Sequence, residues 1–151
     1  MAFHVEYVDA ELPENLHRQG NYGETLEAAL SSTTHTFAKR PTLAAWMLEA
    51  EHGNIGYGQG RIVAVYTPEH GWETLETDPR QWWNKLSEEA QQGLMDSDSW
   101  EIPAAHTREI IESGAGATRG YFVQNDDSGG WSLQSTARAF VETVKRRRGA
   151  L

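Results

Sequence analysis

The stretch RIVAVYTPEHGWETLETDPRQWWNKLSEEAQQGL, residues 61–94, contains the clearest strand and the clearest helix start in the chain. In residues 62–66, IVAVY, apolar β-formers point to both faces, which is typical of a central strand covered on each side. Pro68 and Gly71 then suit a four-residue hairpin loop. Residues 72–76 are therefore predicted to return as an antiparallel strand.

A helix is predicted to follow this hairpin. Asp78 suits an N-cap, Pro79 suits the first helical position, and Gln81 completes a capping box. An apolar stripe recurs every four residues, formed by Trp82, Leu86, Ala90 and Leu94. We expect this helix to lie on the sheet with Trp82 buried. Trp83 lies about 100° further around a helix, so we expect it to be more exposed and open to a partner.

Upstream, alternation in residues 3–7 predicts a half-buried strand, and residues 9–20 have the composition of a loop. Asn21 with Glu24 suits the start of a helix that carries Leu26, Leu30 and Phe37 on one face. Hydroxyl-rich residues 31–36 favour a break in that helix. Pro41 is then predicted to open a second helix, with Leu43, Trp46, Met47 and Ala50 as its stripe.

Downstream, Pro103 suits the start of a short helix that ends near Ser113 and Gly114. Residues 121–123 and 131–133 are predicted to form a second hairpin, and a last helix with an apolar stripe follows Ser135. These elements predict an α+β fold with a mainly antiparallel sheet of about four or five strands and packed helices. We expect one domain over residues 1–151, with a sub-structure boundary near residue 77.

Composition narrows the functional classes. The chain has no Cys, which excludes disulfides, thiolate metal sites and a thiol nucleophile. We find no signal peptide and no apolar run long enough to span a membrane, and we expect a cytoplasmic protein. The 13 basic and 22 acidic residues give a net charge of −9, which disfavours general adhesion to nucleic acid or anionic lipid. Positive charge is concentrated in residues 145–148, KRRR.

No pattern of catalytic, metal or cofactor residues is evident. The six His are scattered, and no serine lies in a GxSxG motif, so we predict no catalytic, metal-binding or cofactor-binding residue. Residues 51–60, EHGNIGYGQG, are rich in glycine but precede a strand. Phosphate-binding glycines instead follow a strand and open a helix. We therefore expect a mobile or tightly turned loop without phosphate.

These observations favour a small cytosolic binding or adaptor protein that acts through a protein partner, without a cofactor. Six Trp is a high count, and Trp and Arg are enriched at the centres of interfaces. The candidate partner-binding residues are Trp72, Trp83, Trp100, Lys145, Arg146, Arg147 and Arg148. The four basic residues suit the C-terminal end of a helix, and we expect their replacement by Ala to leave the fold intact.

Two alternatives remain. One is a nucleic-acid-binding regulator with a winged-helix-like second half, in which residues 103–113 would face the major groove and residues 120–133 would form the wing. In this alternative the C-terminal basic run, residues 145–148, would contact the nucleic acid. The acidic residues Glu109, Glu112, Asp126 and Asp127 oppose that hypothesis, because phosphates would repel them. The other alternative is an enzyme that uses the glycine-rich loop at residues 51–60.

Overall fold

A computed structural model describes residues 2–20, 24–51, 56–97, 100–114, 121–125 and 130–150. Within these ranges the chain has an α+β fold. The strands are β1 (Ala2–Asp9), β2 (Leu16–Gly20), β3 (Thr42–Ala50), β4 (Arg61–Thr67), β5 (Gly71–Thr74), β6 (Phe122–Gln124) and β7 (Trp131–Leu133). The α-helices are α1 (Leu26–Lys39), α2 (Arg80–Trp83), α3 (Glu88–Asp96), α4 (Thr107–Glu112) and α5 (Ser135–Ala150), and a 3₁₀ turn (Ala104–His106) precedes α4.

The main sheet is antiparallel and has the order β2-β1-β3-β4-β5. Strand β4 lies between β3 and β5 and is buried from Ile62 to Val65, which confirms the interior strand and the hairpin predicted from residues 61–76. The predicted second hairpin is also confirmed, because β6 and β7 pair antiparallel as a separate two-stranded sheet.

Helices cover both faces of the main sheet. On one face, α1 buries an apolar cluster that includes Phe3, Val5 and Met47. The opposite face carries the larger cluster, in which Trp46 and Leu48 pack with residues of α2, α3, α4 and α5. Among the described residues, no helix combines the length and the apolar character that crossing a membrane requires.

The helix predicted to begin at Pro41 is wrong, because residues 42–50 form strand β3. A short apolar segment that is buried on both sides has no periodicity that separates a strand from a helix. Here Ala45 and Met47 join one core cluster while Trp46 joins the other. Residues 16–20 also differ from the prediction, because the expected loop contains the polar strand β2 at the sheet edge.

Helix α1 continues through the hydroxyl-rich residues 31–36, so the predicted break is wrong. Its threonines donate hydrogen bonds back to helix carbonyls, from Thr33 to Ala29 at 2.9 Å and from Thr34 to Leu30 at 2.7 Å. Such bonds satisfy the hydroxyls within the helix instead of competing with it. The N-cap is Thr25, and the proposed cap Asn21 lies outside the described residues.

The helix predicted after Asp78 is divided into α2 and α3, and Ser87 is the N-cap of α3. Trp82 and Trp83 are both buried, with 2% and 4% of their surfaces exposed. The expected exposure of Trp83 is therefore wrong. Both indole rings contact Phe140 of α5, at centroid distances of 6.0 and 5.8 Å, because the core surrounds this short helix on more than one side.

Candidate functional site

The sheet contains a buried carboxylate in β1. The half-buried strand predicted over residues 3–7 would leave its polar face in solvent, but the side chain of Glu6 on that face is 0% exposed and His4 is 3% exposed. Strand β1 lies between β2 and β3, and both of its faces are covered. A buried ionised carboxylate is unfavourable unless nearby groups compensate its charge.

Two groups from distant parts of the chain compensate Glu6. Nη1 of Arg147, in the last turn of α5, lies 2.8 Å from Oε1 of Glu6, although its N–H is not aimed at that oxygen. The amide of Gly58 donates to Oε2 at 2.5 Å. The guanidinium of Arg147 also stacks on Trp46, 3.6 Å from the ring centroid. Burial lowers the pKa of Arg147, while the neighbouring Glu6 carboxylate opposes that shift.

Arg80 and Asp78 hold the turn that contains Gly58. Arg80 donates to the carbonyl of Gly58 at 2.5 Å and to that of Gly60 at 2.8 Å. Asp78 forms an ion pair with Arg80 at 2.6 Å and accepts a hydrogen bond from the amide of Ile62 at 3.0 Å. Oδ1 of Asp78 also accepts a hydrogen bond from the amide of Arg80 at 3.0 Å, as expected of the predicted cap. Asp78 therefore connects the start of α2 to the start of β4.

In residues 56–60 of the glycine-rich segment, side-chain oxygens accept hydrogen bonds from two backbone amides. The amide of Gly58 bonds to Glu6, and the amide of Gly56 bonds to Oε1 of Gln59 at 2.7 Å. These two amides are therefore engaged, whereas a phosphate cradle requires amides that point at the ligand. Residues 52–55 lie outside the described residues, and the mobility of the loop stays a prediction. Tyr57, at the outer end of the turn, is 59% exposed.

The side chains of the four basic residues in the C-terminal run lie in different environments. Lys145 is exposed, and Arg148 donates to Oε1 of Gln91 at 3.0 Å. Arg146 is half-buried and Arg147 is buried against Glu6. The run therefore does not form one solvated basic surface. The burial of Arg147 also argues against the expectation that replacing all four residues leaves the fold intact.

The three candidate tryptophans differ in exposure. Trp72 is half-buried, and its indole N–H donates to the hydroxyl of Thr33 at 3.1 Å. Trp83 is buried in the core, which leaves no open face for a partner. Trp100 is 47% exposed, with its ring centroid 6.0 Å from that of His70 in an edge-on arrangement. Trp100 is therefore the candidate whose ring is most accessible.

Trp100 borders a shallow cavity of about 270 Å³, which we call the Trp100 site, lined by Glu69, His70, Trp100, Arg138, Glu142 and Arg146. Arg146 pairs with Glu69 at 2.8 Å and lies 3.9 Å from Glu142. Arg138 pairs with Glu142 at 3.5 Å. The hydrogen bond from Arg146 holds the pKa of Glu69 below its usual range, so this carboxylate is ionised at neutral pH.

Sequence reasoning found Trp100 and Arg146 but missed the other residues of the Trp100 site. Glu69 and His70 lie in the β4–β5 turn, and Arg138 and Glu142 lie on α5. The spacing of Arg138, Glu142 and Arg146 was a visible signal, since residues four apart share one helix face. No local pattern placed the turn beside that face.

Among residues 2–20, 24–51, 56–97, 100–114, 121–125 and 130–150, no group of three or more His, Asp or Glu side chains is arranged to hold a metal ion. Comparison with protein-family models, with curated proteins and with solved structures finds no match to this chain.

Proposed function

We propose that this chain is a small binding protein that acts through a protein partner, and that the partner contacts the Trp100 site. The observation that carries the proposal is the 47% exposure of Trp100 in a cavity whose walls include two arginines. Trp and Arg are the residues most enriched among those that dominate interface energies. An indole left in water is unfavourable, and a partner that covered it would remove this cost.

The surroundings of Trp100 are held in place before binding. Arg146 donates to the carbonyl of Leu43 at 2.6 Å as well as to Glu69, and Arg138 donates to the carbonyl of Ser97 at 2.8 Å. Side chains fixed in the free protein lose little conformational entropy when a partner binds. This arrangement therefore favours a preformed contact surface.

The charge distribution favours a protein partner over nucleic acid. Arg146 and Arg147 are paired with Glu69 and Glu6, so a phosphate would have to displace a carboxylate from each. Arg108, on the helix that would enter a major groove, pairs with Glu112 at 3.1 Å. The net charge of −9 adds a general repulsion from the phosphate backbone.

Affinity capture from source-cell extract tests the proposal with three baits: wild type, Trp100→Ala, and Tyr57→Ala as a control at another exposed aromatic residue. We expect at least one protein that wild type and Tyr57→Ala recover equally and that Trp100→Ala does not recover. Equal thermal midpoints of the three baits would exclude a folding effect. Identical recovery by all three baits, or recovery that depends on nuclease-sensitive material, would contradict the proposal.

A further inference from the structure

We propose that the partner places a Lys or Arg side chain against the ring of Trp100, and hence that its contact surface is basic. This inference rests on the proposed function and names the chemistry of the partner. Three observations support it: the relative exposure of the charged side chains around Trp100, the volume of the site, and the net charge of the chain.

The charged side chains of the Trp100 site are unequally exposed. The side chain of Glu69 is 55% exposed, whereas those of Arg146 and Arg138 are 24% and 15% exposed. Both arginines donate to backbone carbonyls, of Leu43 and of Ser97, and so direct part of their guanidinium groups away from solvent. An incoming group therefore meets a carboxylate before it meets a guanidinium.

A second carboxylate, that of Glu73, lies close to His70. Oε1 of Glu73 in β5 is 3.7 Å from Nδ1 of His70, and its Oε2 accepts a hydrogen bond from Ser135 at 2.9 Å. A cation over the Trp100 ring would be attracted by the ring's negative face and by Glu69, which lines the same cavity. A carboxylate or phosphate in the same place would be repelled by them, unless it separated Arg146 from Glu69.

The size of the site and the total charge agree with this assignment. A volume of about 270 Å³ corresponds to the space of about nine water molecules, which accommodates one long side chain. The net charge of −9 attracts a basic surface over longer distances and repels an acidic one. A second copy of this chain would meet the same repulsion.

Nuclear magnetic resonance of the ¹⁵N-labelled full chain tests the inference with three probes. They are capped five-residue glycine peptides that carry a central arginine, its neutral isostere citrulline, or a glutamate. The Trp100→Phe variant identifies the indole N–H signal of Trp100. We expect the arginine peptide to shift that signal with saturation in the millimolar range, and the citrulline peptide to bind about fivefold more weakly.

Two glutamate variants test whether Glu69 supplies the negative charge that attracts the arginine peptide. We expect Glu69→Gln to weaken binding of the arginine peptide, and Glu27→Gln, an exposed position on α1, to leave it unchanged. Equal binding of the citrulline peptide, tighter binding of the glutamate peptide, or no shift with any probe would overturn the inference. If the capture experiment still depends on Trp100 in that case, the proposed function stands while the basic partner is rejected.

Discussion

Replacing Arg147 with Ala should destabilise the protein severely. The substitution removes the cation that lies 2.8 Å from a fully buried carboxylate and the guanidinium stacked 3.6 Å from the Trp46 ring. Gly58 donates a single hydrogen bond to the other carboxylate oxygen, and one amide does not replace a full charge. Removing one partner of a buried ion pair costs about 3–5 kcal/mol. That is a large fraction of the roughly 5–15 kcal/mol by which most domains are stable.

Equilibrium unfolding in urea, followed by far-ultraviolet circular dichroism, measures this loss. Lys145→Ala is the matched control, because Lys145 is exposed in the same helical turn and should change the free energy of unfolding by less than about 0.5 kcal/mol. The double variant Glu6→Gln/Arg147→Met should recover much of the loss, since no charge is left buried and unpaired. A loss below about 1 kcal/mol for Arg147→Ala, or a double variant less stable than it, would refute the reasoning.

Three further measurements test the fold. Gly60→Ala should destabilise the protein more than Gly71→Ala, although both glycines have positive φ, at +94° and +68°. A Cβ at Gly60 would lie 2.8 Å from a backbone oxygen, whereas a Cβ at Gly71 would have no such contact within 4 Å. Trp82→Ala and Trp83→Ala should each lower the free energy of unfolding by about 3–5 kcal/mol. A Trp83→Ala variant as stable as the wild type would instead indicate that Trp83 lies at the surface. Burial raises the pKa of Tyr121 to about 12. The contribution of Tyr121 to the free energy of unfolding is therefore complete below the unfolded pKa of about 10 and is lost as the pH rises towards 12. Tyr121→Phe should therefore reduce the pH dependence of the free energy of unfolding between these two values.

The hairpins were predictable because their signals are local. Pro68 lies in the turn between β4 and β5, two strands that pair with each other. Gly71, the first residue of β5, takes the positive φ that favours glycine. Each part of that pattern lies within a few residues of the next, so no distant contact has to be known. The same holds for β6 and β7, whose pairing partners also follow one another in the chain.

Strand β3 could not be recognised because its conformation is decided by its neighbours. Residues 42–50 pair with β1 on one side and β4 on the other, and both faces are covered. Apolar residues therefore occur at nearly every position, and the spacing of Trp46, Met47 and Ala50 also fits a helix. In helix α1 the low helix propensity of threonine suggested a break where the helix in fact continues. The threonine hydroxyls donate hydrogen bonds to carbonyls of the same helix, and the break does not occur.

The pairing of Glu6 with Arg147 was inaccessible to sequence reasoning for a different reason. Polar residues that alternate along a strand indicate a solvent face, and that inference holds only if nothing covers the face. Here the Gly58 turn and the last turn of α5 cover it, and both come from remote segments. Arg146 and Arg147 lie about 100° apart on that helix, so the first lines the Trp100 site while the second compensates a buried carboxylate. Replacing the whole basic run would alter the Trp100 site and destabilise the fold at once, and only single substitutions at these two arginines can separate the two effects.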